Sequence, residues 1–262
     1  DPAICTDIFM DCEQIDKDVL DVINKYGPLK HESKNLTGYG LVSLASTNKN
    51  DEKALSIYYG RNTGHGHRDS LNLDLHGFGV DLLPDHGYPG YADRNFERSR
   101  WTINSIAHNL VVVDDEPQKD SFVSQPHHFD GDHCVKVTDI SAPRAYPQTR
   151  MYRRSTATIN IDDSFYVFDV FRIDGGNEHL YSFHAAEGNT EPFGVQLVQQ
   201  KEGTFAGEDI RYAQESYDRN CKNGRNYLVN VARDKKPSAY FGADWKIKDT
   251  WKVWKHDRDV HV

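Results

Sequence analysis

Hydrophobic and polar residues alternate with a period of two along much of the chain after residue 38. The pattern is clearest in residues 70–78, where leucines occupy positions 71, 73 and 75 and Asn, Asp and His occupy positions 72, 74 and 76. In a β-strand successive side chains point to opposite faces of the sheet. This segment is therefore predicted to be a strand with one buried and one polar face.

Short apolar runs of strand length recur through the rest of the chain, without long helical patterns between them. Asp162-Asp163-Ser164 separates two of the longest runs and predicts a hairpin. Repeated short strands of this kind predict an all-β fold, a large antiparallel β-sandwich. The predicted strands are 41–45, 54–59, 70–78, 80–83, 110–113, 135–140, 150–161, 165–173, 180–184, 195–198, 210–213, 227–232, 238–241 and 251–254.

The first 37 residues have a different pattern. Apolar residues at helical spacing in residues 13–26 are followed by Gly27-Pro28, which predicts a short N-terminal helix. Residues 31–37 are polar and are predicted to be a loop. We interpret residues 1–37 as a helix and linker, the remnant of an upstream helical domain, and residues 38–262 as the β-sandwich domain. Because the chain begins at Asp1 and not at Met, we expect a processed product or a fragment.

Composition excludes some classes of function. A formal net charge of −9 argues against general nucleic-acid binding. No apolar run approaches the length of a transmembrane span, so no membrane partner is expected. The four cysteines show no Cys-x-x-Cys spacing, which argues against a cysteine zinc site. Cys5 and Cys12 are interpreted as free thiols, with a disulfide between them as the alternative.

Histidines and aspartates are concentrated between residues 65 and 108. His67 precedes one predicted strand, Asp85 follows the next, and His108 directly precedes a third. If the first two strands form a hairpin, these three side chains converge at one end of it. Two imidazoles and a carboxylate predict a zinc site with one open position. The alternative is a set of solvated polar side chains.

A second cluster lies in the sequence HHFDGDHC at residues 127–134. It could bind a metal, but its polar, turn-like composition favours a plain loop.

The sequence around the first cluster resembles a known family. The run GHGHRDSLNLDLHGFGVDLLPDHG, followed by AHNLVVVD, is similar to a pattern in the β-domain of the heparinase II/III-like polysaccharide lyases. Arg68 stands where proline is common in that pattern, and Leu110 replaces the usual threonine. Neither departure removes a side chain from the predicted metal set. The matching residues are His65, His67, Asp69, Leu71, Asp85, Gly87, Ala107, His108, Asn109 and the valines at 111–113.

The resemblance implies a polysaccharide lyase that cleaves an acidic, uronic-acid-containing polysaccharide of glycosaminoglycan or alginate type by β-elimination. It implies a zinc ion with a structural role at His67, Asp85 and His108. It also implies that an upstream helical domain shares the active site, and that the protein is periplasmic or secreted in a bacterium. This chain alone would then hold an incomplete site.

The resemblance also suggests roles for individual residues. His65 is the candidate catalytic histidine, with orientation of His67 as its alternative role. Tyr91 is the candidate acid or base, and Tyr88 is the second choice and a substrate-binding candidate. Further substrate-binding candidates are Arg94, in a loop that also carries Arg98 and Arg100, and His184, whose alternative is a histidine at the edge of the core.

A different class of function is also compatible with the sequence. A non-catalytic carbohydrate-binding or structural β-sandwich module would use exposed aromatic residues as sugar platforms. Trp245, Trp251 and Trp254 are the candidates for that role.

Overall fold

The computed structural model of the chain describes residues 11–27, 31–48, 51–62, 64, 66–87, 98–162, 164–254, 256 and 258–262. Backbone proximity divides the chain into two compact units, residues 1–31 and residues 32–262. No helix in these described ranges is long and apolar enough to cross a membrane.

The described part of the first unit is a single helix, α1, over Cys12–Tyr26. The carboxylate of Asp11 accepts a hydrogen bond from the backbone N–H of Gln14 at 3.2 Å and caps the N-terminus. Gly27, at φ 84°, follows the last turn. The predicted short N-terminal helix is confirmed. Its origin in an upstream helical domain remains a prediction.

The second unit is built from antiparallel strands. The first sheet has five strands in chain order, β1 to β5. The second has four, in the order β10-β9-β8-β7, and three further strand pairs are β6 with β11, β12 with β15 and β13 with β14. The strands are β1 (Lys34–Leu36), β2 (Leu41–Asn48), β3 (Asp51–Tyr58), β4 (Asn72–Gly77), β5 (Val80–Leu83), β6 (Val111–Val113), β7 (Gln125–Asp130), β8 (Val135–Ser141), β9 (Thr149–Ile161), β10 (Ser164–Gly175), β11 (His179–Tyr181), β12 (Gly188–Phe193), β13 (Val198–Gln199), β14 (Ala232–Arg233) and β15 (Gly242–Ile247).

One hydrophobic core lies between the two large sheets. Leu55 and Leu73 from the first sheet and Ile140 and Tyr152 from the second are buried in the same cluster. Burial of each large apolar side chain contributes roughly 1.5–3 kcal/mol, so this cluster is the main stabilising element of the fold. Two antiparallel sheets around a shared core confirm the predicted all-β sandwich.

Two segments predicted to be loops are strands, so those predictions were wrong. Lys34–Leu36, in the segment 31–37, forms β1 and pairs with β2. Residues 125–130, which include His127 and His128, form β7 and pair with β8. A register shift between Pro126 and His128 interrupts the two-residue period of β7, which explains why alternation did not reveal the strand.

Most strands predicted after residue 194 were also wrong. Residues 210–213 and 251–254 are turns and irregular backbone. Residues 225–227 form a 3-10 helix, so only Ala232 of the predicted strand 227–232 lies in a strand. Residues 215–220 form a short helix, α2 (Glu215–Asn220). Residues 238–241 precede β15, only Val198 of 195–198 lies in a strand, and the strand predicted at 180–184 ends at Tyr181. A large aromatic residue in this region can be held outside a strand. Trp254, for example, donates its indole N–H to the Phe78 carbonyl at 2.7 Å.

Candidate metal centre

The turn before β4 carries His67 and Asp69. Its backbone is tied to a later segment, since the Arg68 N–H donates to the Ile103 carbonyl at 2.9 Å and the Ser70 N–H donates to the Gln118 side chain at 2.9 Å. Leu71 completes the turn in the left-handed region, at φ 70°. An apolar residue at positive φ persists only where the surrounding structure fixes it, so this turn is rigidly held.

Asp85 lies two residues beyond the end of β5. Leu75 of β4 pairs with Leu83 of β5, so the end of β5 lies beside the start of β4. One carboxylate oxygen of Asp85, Oδ1, accepts the Gly87 N–H at 2.7 Å. The other, Oδ2, faces the His67 turn at 3.3 Å from His67 Nδ1.

His108 directly follows a short 3-10 helix, Ser105–Ala107, and lies three residues before the start of β6. Its imidazole is buried, and Nδ1 lies 2.8 Å from the backbone carbonyl of Asn104. A carbonyl oxygen can only accept, so Nδ1 must carry the proton. In the neutral imidazole, the lone pair of Nε2 therefore points towards Asp85 and His67, where a metal ion would accept it, whereas in the protonated imidazole Nε2 donates to Asp85.

The three side chains form a nearly equilateral triangle of donor atoms. His67 Nδ1 lies 3.2 Å from His108 Nε2 and 3.3 Å from Asp85 Oδ2, and His108 Nε2 lies 3.1 Å from Asp85 Oδ2. Zinc ligands at about 2.0–2.1 Å from a tetrahedral centre stand about 3.3 Å apart, which matches all three distances. Hydrogen bonds alone cannot account for all three contacts. Each of the two ring nitrogens can carry one proton, and each proton can be directed along only one side of the triangle.

Asp69 supplies a fourth candidate ligand and a second carboxylate. One ligand atom from each of His67, Asp69, Asp85 and His108 lies within 4.8 Å of the other three. Asp69 is buried, and its Oδ1 has no hydrogen-bond partner among the described residues. A buried carboxylate oxygen without a partner is costly, and a cation in the cluster would offset that cost. The residues present therefore fit a divalent metal ion.

The protonation behaviour of the cluster follows from its burial and mutual contacts. Burial raises the pKa of Asp69 to about 6, and the nearby Asp85 carboxylate adds to that rise against the opposing imidazoles. Burial also disfavours ionisation of Asp85, but hydrogen bonds from His108 and His67 hold its pKa well below the usual value. For His108, burial opposes the charged form, but contact with Asp85 raises the pKa above the usual value.

An aromatic wall stands beside the cluster. His184 lies near two other rings, with centroid distances of 6.0 Å to His86 and 5.9 Å to Trp101. His86, which follows Asp85 directly, lies 5.7 Å from Trp101. The Nε2 atom of His184 lies 2.8 Å from the Ile106 carbonyl, and burial lowers its pKa. His184 is thus half-buried next to the candidate metal centre, and its ring forms an aromatic cluster with His86 and Trp101.

The structure brings together His67, Asp85 and His108, as the spacing predicts, and places His184 nearby. His65, Tyr88, Tyr91 and Arg94 lie outside the described residues. In the 127–134 cluster, His133 pairs with Asp130 at 2.9 Å and His127 contacts Ser141 at 2.7 Å. Within the described ranges, the His67 cluster is the one group of side chains arranged to hold a metal ion.

Asp69 and Asn104 were missing from the set of site residues predicted from the sequence. Asp69 follows His67 at the i+2 position, and this spacing was the available signal. The role of Asn104 depends on its backbone carbonyl, which no side-chain pattern reveals.

Comparison with protein families shows which family the chain belongs to. The model of the "Heparinase II/III-like, C-terminal" family matches residues 53–225, which contain all four cluster residues. The chain belongs to the heparinase II/III-like family. The predicted resemblance is confirmed.

One solved structure supports the same fold for this heparinase II/III-like chain. A heparinase III gene product superposes with a TM-score of 0.50 at 19% identity, covering 71% of this chain and 27% of the other. A mutant of the heparan sulfate lyase HepC from Pedobacter heparinus gives 0.48 at 16% identity, covering 66% and 26%. Another heparinase III gives 0.49 at 14%, covering 67% and 27%. The chain thus spans about a quarter of the length of these proteins. A search of curated proteins finds no match.

Proposed function

We propose that the chain is the β-domain of a polysaccharide lyase and that it holds a structural zinc ion. The observation that carries the zinc proposal is the triangle of His67 Nδ1, Asp85 Oδ2 and His108 Nε2, with sides of 3.1–3.3 Å. Two imidazoles and a carboxylate form a donor set that favours zinc, whereas calcium and magnesium favour sites made of oxygen ligands. Asp69 is within reach as a fourth group. Four protein ligands would make a closed, structural site.

The bound zinc would supply a fixed cross-link between three chain segments. His67 and Asp69 belong to the turn before β4, Asp85 follows β5, and His108 precedes β6. His65 lies two residues before His67, and Tyr91 lies between Asp85 and His108 in the sequence. Fixing the ligands would therefore also fix the chain next to each catalytic candidate.

The proposed reaction is β-elimination on a uronic-acid-containing polysaccharide, of glycosaminoglycan or alginate type. A base removes the C5 proton of the uronic acid, the electron pair forms the C4–C5 double bond, and the C4–O bond breaks as the leaving oxygen receives a proton. The difficulty is the negative charge that develops on the carboxylate, which positive charge or hydrogen bonding must stabilise. Family membership supports this proposal, and the names of the similar structures point to acidic polysaccharides.

Residue roles in this proposal follow the family pattern. His65 acts as the catalytic histidine, with Tyr91 as its acid–base partner. Tyr88 and Arg94 bind the substrate, Arg94 through the carboxylate or sulfate groups that a guanidinium recognises in a bidentate manner. His184, with Trp101, offers a ring surface for a sugar beside the metal centre. An upstream helical domain completes the site.

The protein would act outside the cytoplasm, in the periplasm or as a secreted bacterial enzyme, where large polysaccharides are accessible. This localisation rests on the proposed substrate.

The carbohydrate-binding alternative is less well supported. Trp245 is half-buried and packs against Phe183 with ring centroids 5.6 Å apart, and Trp254 is half-buried near Phe78. Trp251 is 86% exposed. The three indoles therefore do not form one exposed platform.

A lyase assay tests the proposed function. We expect full-length protein containing the upstream helical region to release unsaturated uronides, detected by ultraviolet absorbance, from at least one member of a uronide panel. His65→Ala should reduce the rate by at least about 100-fold, since general base catalysis typically contributes 10²–10⁴-fold. His76→Ala is the matched control, because the His76 side chain is 39% exposed and pairs with Asp81 on the neighbouring strand. Retention on a polysaccharide column without any product would instead favour the binding module.

A further inference from the structure

A fully buried arginine lies in the core, away from the candidate metal ligands. Arg154 is on β9 of the second sheet and its side chain is 0% exposed. Its guanidinium makes a bidentate pair with Asp169 of β10, with N–O distances of 2.8 and 2.9 Å. Asp169 also accepts hydrogen bonds from Thr156 at 2.7 Å and from Tyr181 at 3.3 Å.

The remaining donors of Arg154 reach across the sandwich to two backbone carbonyls. Nη1 donates to the Leu71 carbonyl at 2.7 Å and to the Asn109 carbonyl at 2.5 Å. Leu71 closes the turn that carries His67 and Asp69, and Asn109 directly follows His108. One guanidinium nitrogen therefore joins the two turns that supply the histidine ligands.

The two turns are also joined directly by asparagine side chains. The Asn109 N–H donates to Asn72 Oδ1 at 2.8 Å, and Asn109 Nδ2 donates to the Leu73 carbonyl at 3.0 Å. These bonds fix how the turns lie relative to each other. The Arg154 bonds fix both turns relative to the second sheet.

We propose that Arg154, held by Asp169, is a positioning residue of the metal centre. A buried ion pair is by itself weak evidence for stability, because the cost of desolvating both charges often cancels their attraction. This pair differs from an ordinary buried ion pair because Arg154 donates two additional hydrogen bonds. The acceptors are the Leu71 and Asn109 carbonyls, which lie on the ligand-bearing turns. Groups that orient metal ligands typically contribute 10–100-fold to metal affinity. This inference rests on the proposed metal site and adds a residue to it.

The neighbouring residue offers a matched comparison. Arg153, on the same strand, makes the same bidentate contact with Asp139, at 2.7 and 2.5 Å. Arg153 points to the opposite face of the sheet and is a third exposed, at 33%. The Arg153 guanidinium contacts Asp139 of β8 instead of the ligand-bearing turns.

The test compares two double variants, Arg154→Met with Asp169→Asn, and Arg153→Met with Asp139→Asn. Each removes both members of a bidentate arginine–aspartate pair. Arg172, which lies 3.7 Å from Asp139, loses that contact in the Arg153 variant but remains exposed to solvent. We expect zinc affinity, measured by competition with a chromogenic chelator, to fall about 10–100-fold in the Arg154 variant and less than about 3-fold in the Arg153 variant. Thermal unfolding of both metal-free variants reports stability separately. If the unmodified chain binds zinc, equal zinc affinities in the two variants would overturn the proposal.

A second measurement does not depend on metal. Hydrogen exchange followed by mass spectrometry should show faster exchange in residues 66–73 and 104–110 of the metal-free Arg154 variant, and unchanged exchange there in the Arg153 variant. Unchanged exchange in both variants would also overturn the positioning role. If the unmodified chain bound no zinc but these two segments still loosened, the metal proposal would fail and the positioning role would stand.

Discussion

At the scale of single residues, hydrogen bonds to the backbone occupy one polar atom of His108 and one of Asp85, and the second polar atom of each side chain faces the candidate centre. The Nδ1–H of His108 is directed to Asn104, and Oδ1 of Asp85 is directed to Gly87, so the atoms left over are those that meet His67. Sequence spacing could predict that His67, Asp85 and His108 converge, because two of them flank a hairpin. It could not predict Arg154, whose contacts with Leu71 and Asn109 span 83 and 45 residues.

Asp74 carries a residue-scale prediction about pH. Burial raises its pKa to about 7, with a further rise from Asp85, against a lowering hydrogen bond from Asn72. The folded pKa exceeds that of an unfolded aspartate, about 3.9, so ionisation destabilises the fold as the pH rises from about 4 to about 7. Asp74→Asn removes that cost. In metal-free protein, we expect it to increase the free energy of unfolding at pH 8 by roughly 1–3 kcal/mol more than at pH 4.

Urea unfolding at several pH values measures this difference. Asp81→Asn provides the comparison, because Asp81 is an exposed aspartate on the adjacent strand. An Asp74→Asn difference that does not change between pH 4 and pH 8 would show that the carboxylate is not destabilised by its surroundings.

At the scale of elements, alternation predicted the central strands and failed at the edges. In β4, β9 and β10 apolar and polar residues alternate clearly, and each strand pairs with a neighbour over at least five residues. The positions of these strands could therefore be predicted from the sequence. β7 escaped because a register shift breaks its period. The run at residues 227–232 predicts a strand, but Tyr227 lies on a 3-10 helix. Its hydroxyl donates to Asp218 at 3.1 Å. Burial of one aromatic ring does not require a strand.

Tyr152 connects two of these elements. Its side chain is fully buried on β9, and its hydroxyl donates to the Val111 carbonyl of β6 at 2.7 Å. Tyr152→Phe leaves this carbonyl without that donor and should destabilise the domain by about 1–3 kcal/mol. Chemical denaturation measures the loss. Tyr166→Phe on the exposed face of β10 should cost less than about 0.5 kcal/mol. Equal costs for the two variants would contradict the linking role of Tyr152.

At the scale of the whole molecule, the sandwich places three ligand-bearing segments at one edge, and a bound ion would join them. A ligand that binds only the folded state at 100–1,000 times its Kd stabilises by about 2.7–4.1 kcal/mol. Removal of zinc with a chelator should therefore lower the Tm of the chain by roughly 5–15 °C. Differential scanning calorimetry measures this shift. His67→Ala should show no dependence on zinc, whereas a shift of equal size in His67→Ala would place the ion elsewhere.

The central claim is that His67, Asp85 and His108, with Asp69 in reach, hold one divalent ion. Elemental analysis of the chain, purified without chelators or a histidine tag and dialysed against trace zinc, tests it most directly. We expect about one zinc per chain for the unmodified protein and for His76→Ala, and much less than one for His108→Ala. Zinc content that is near zero in the unmodified protein, or unchanged in His108→Ala, would contradict the account.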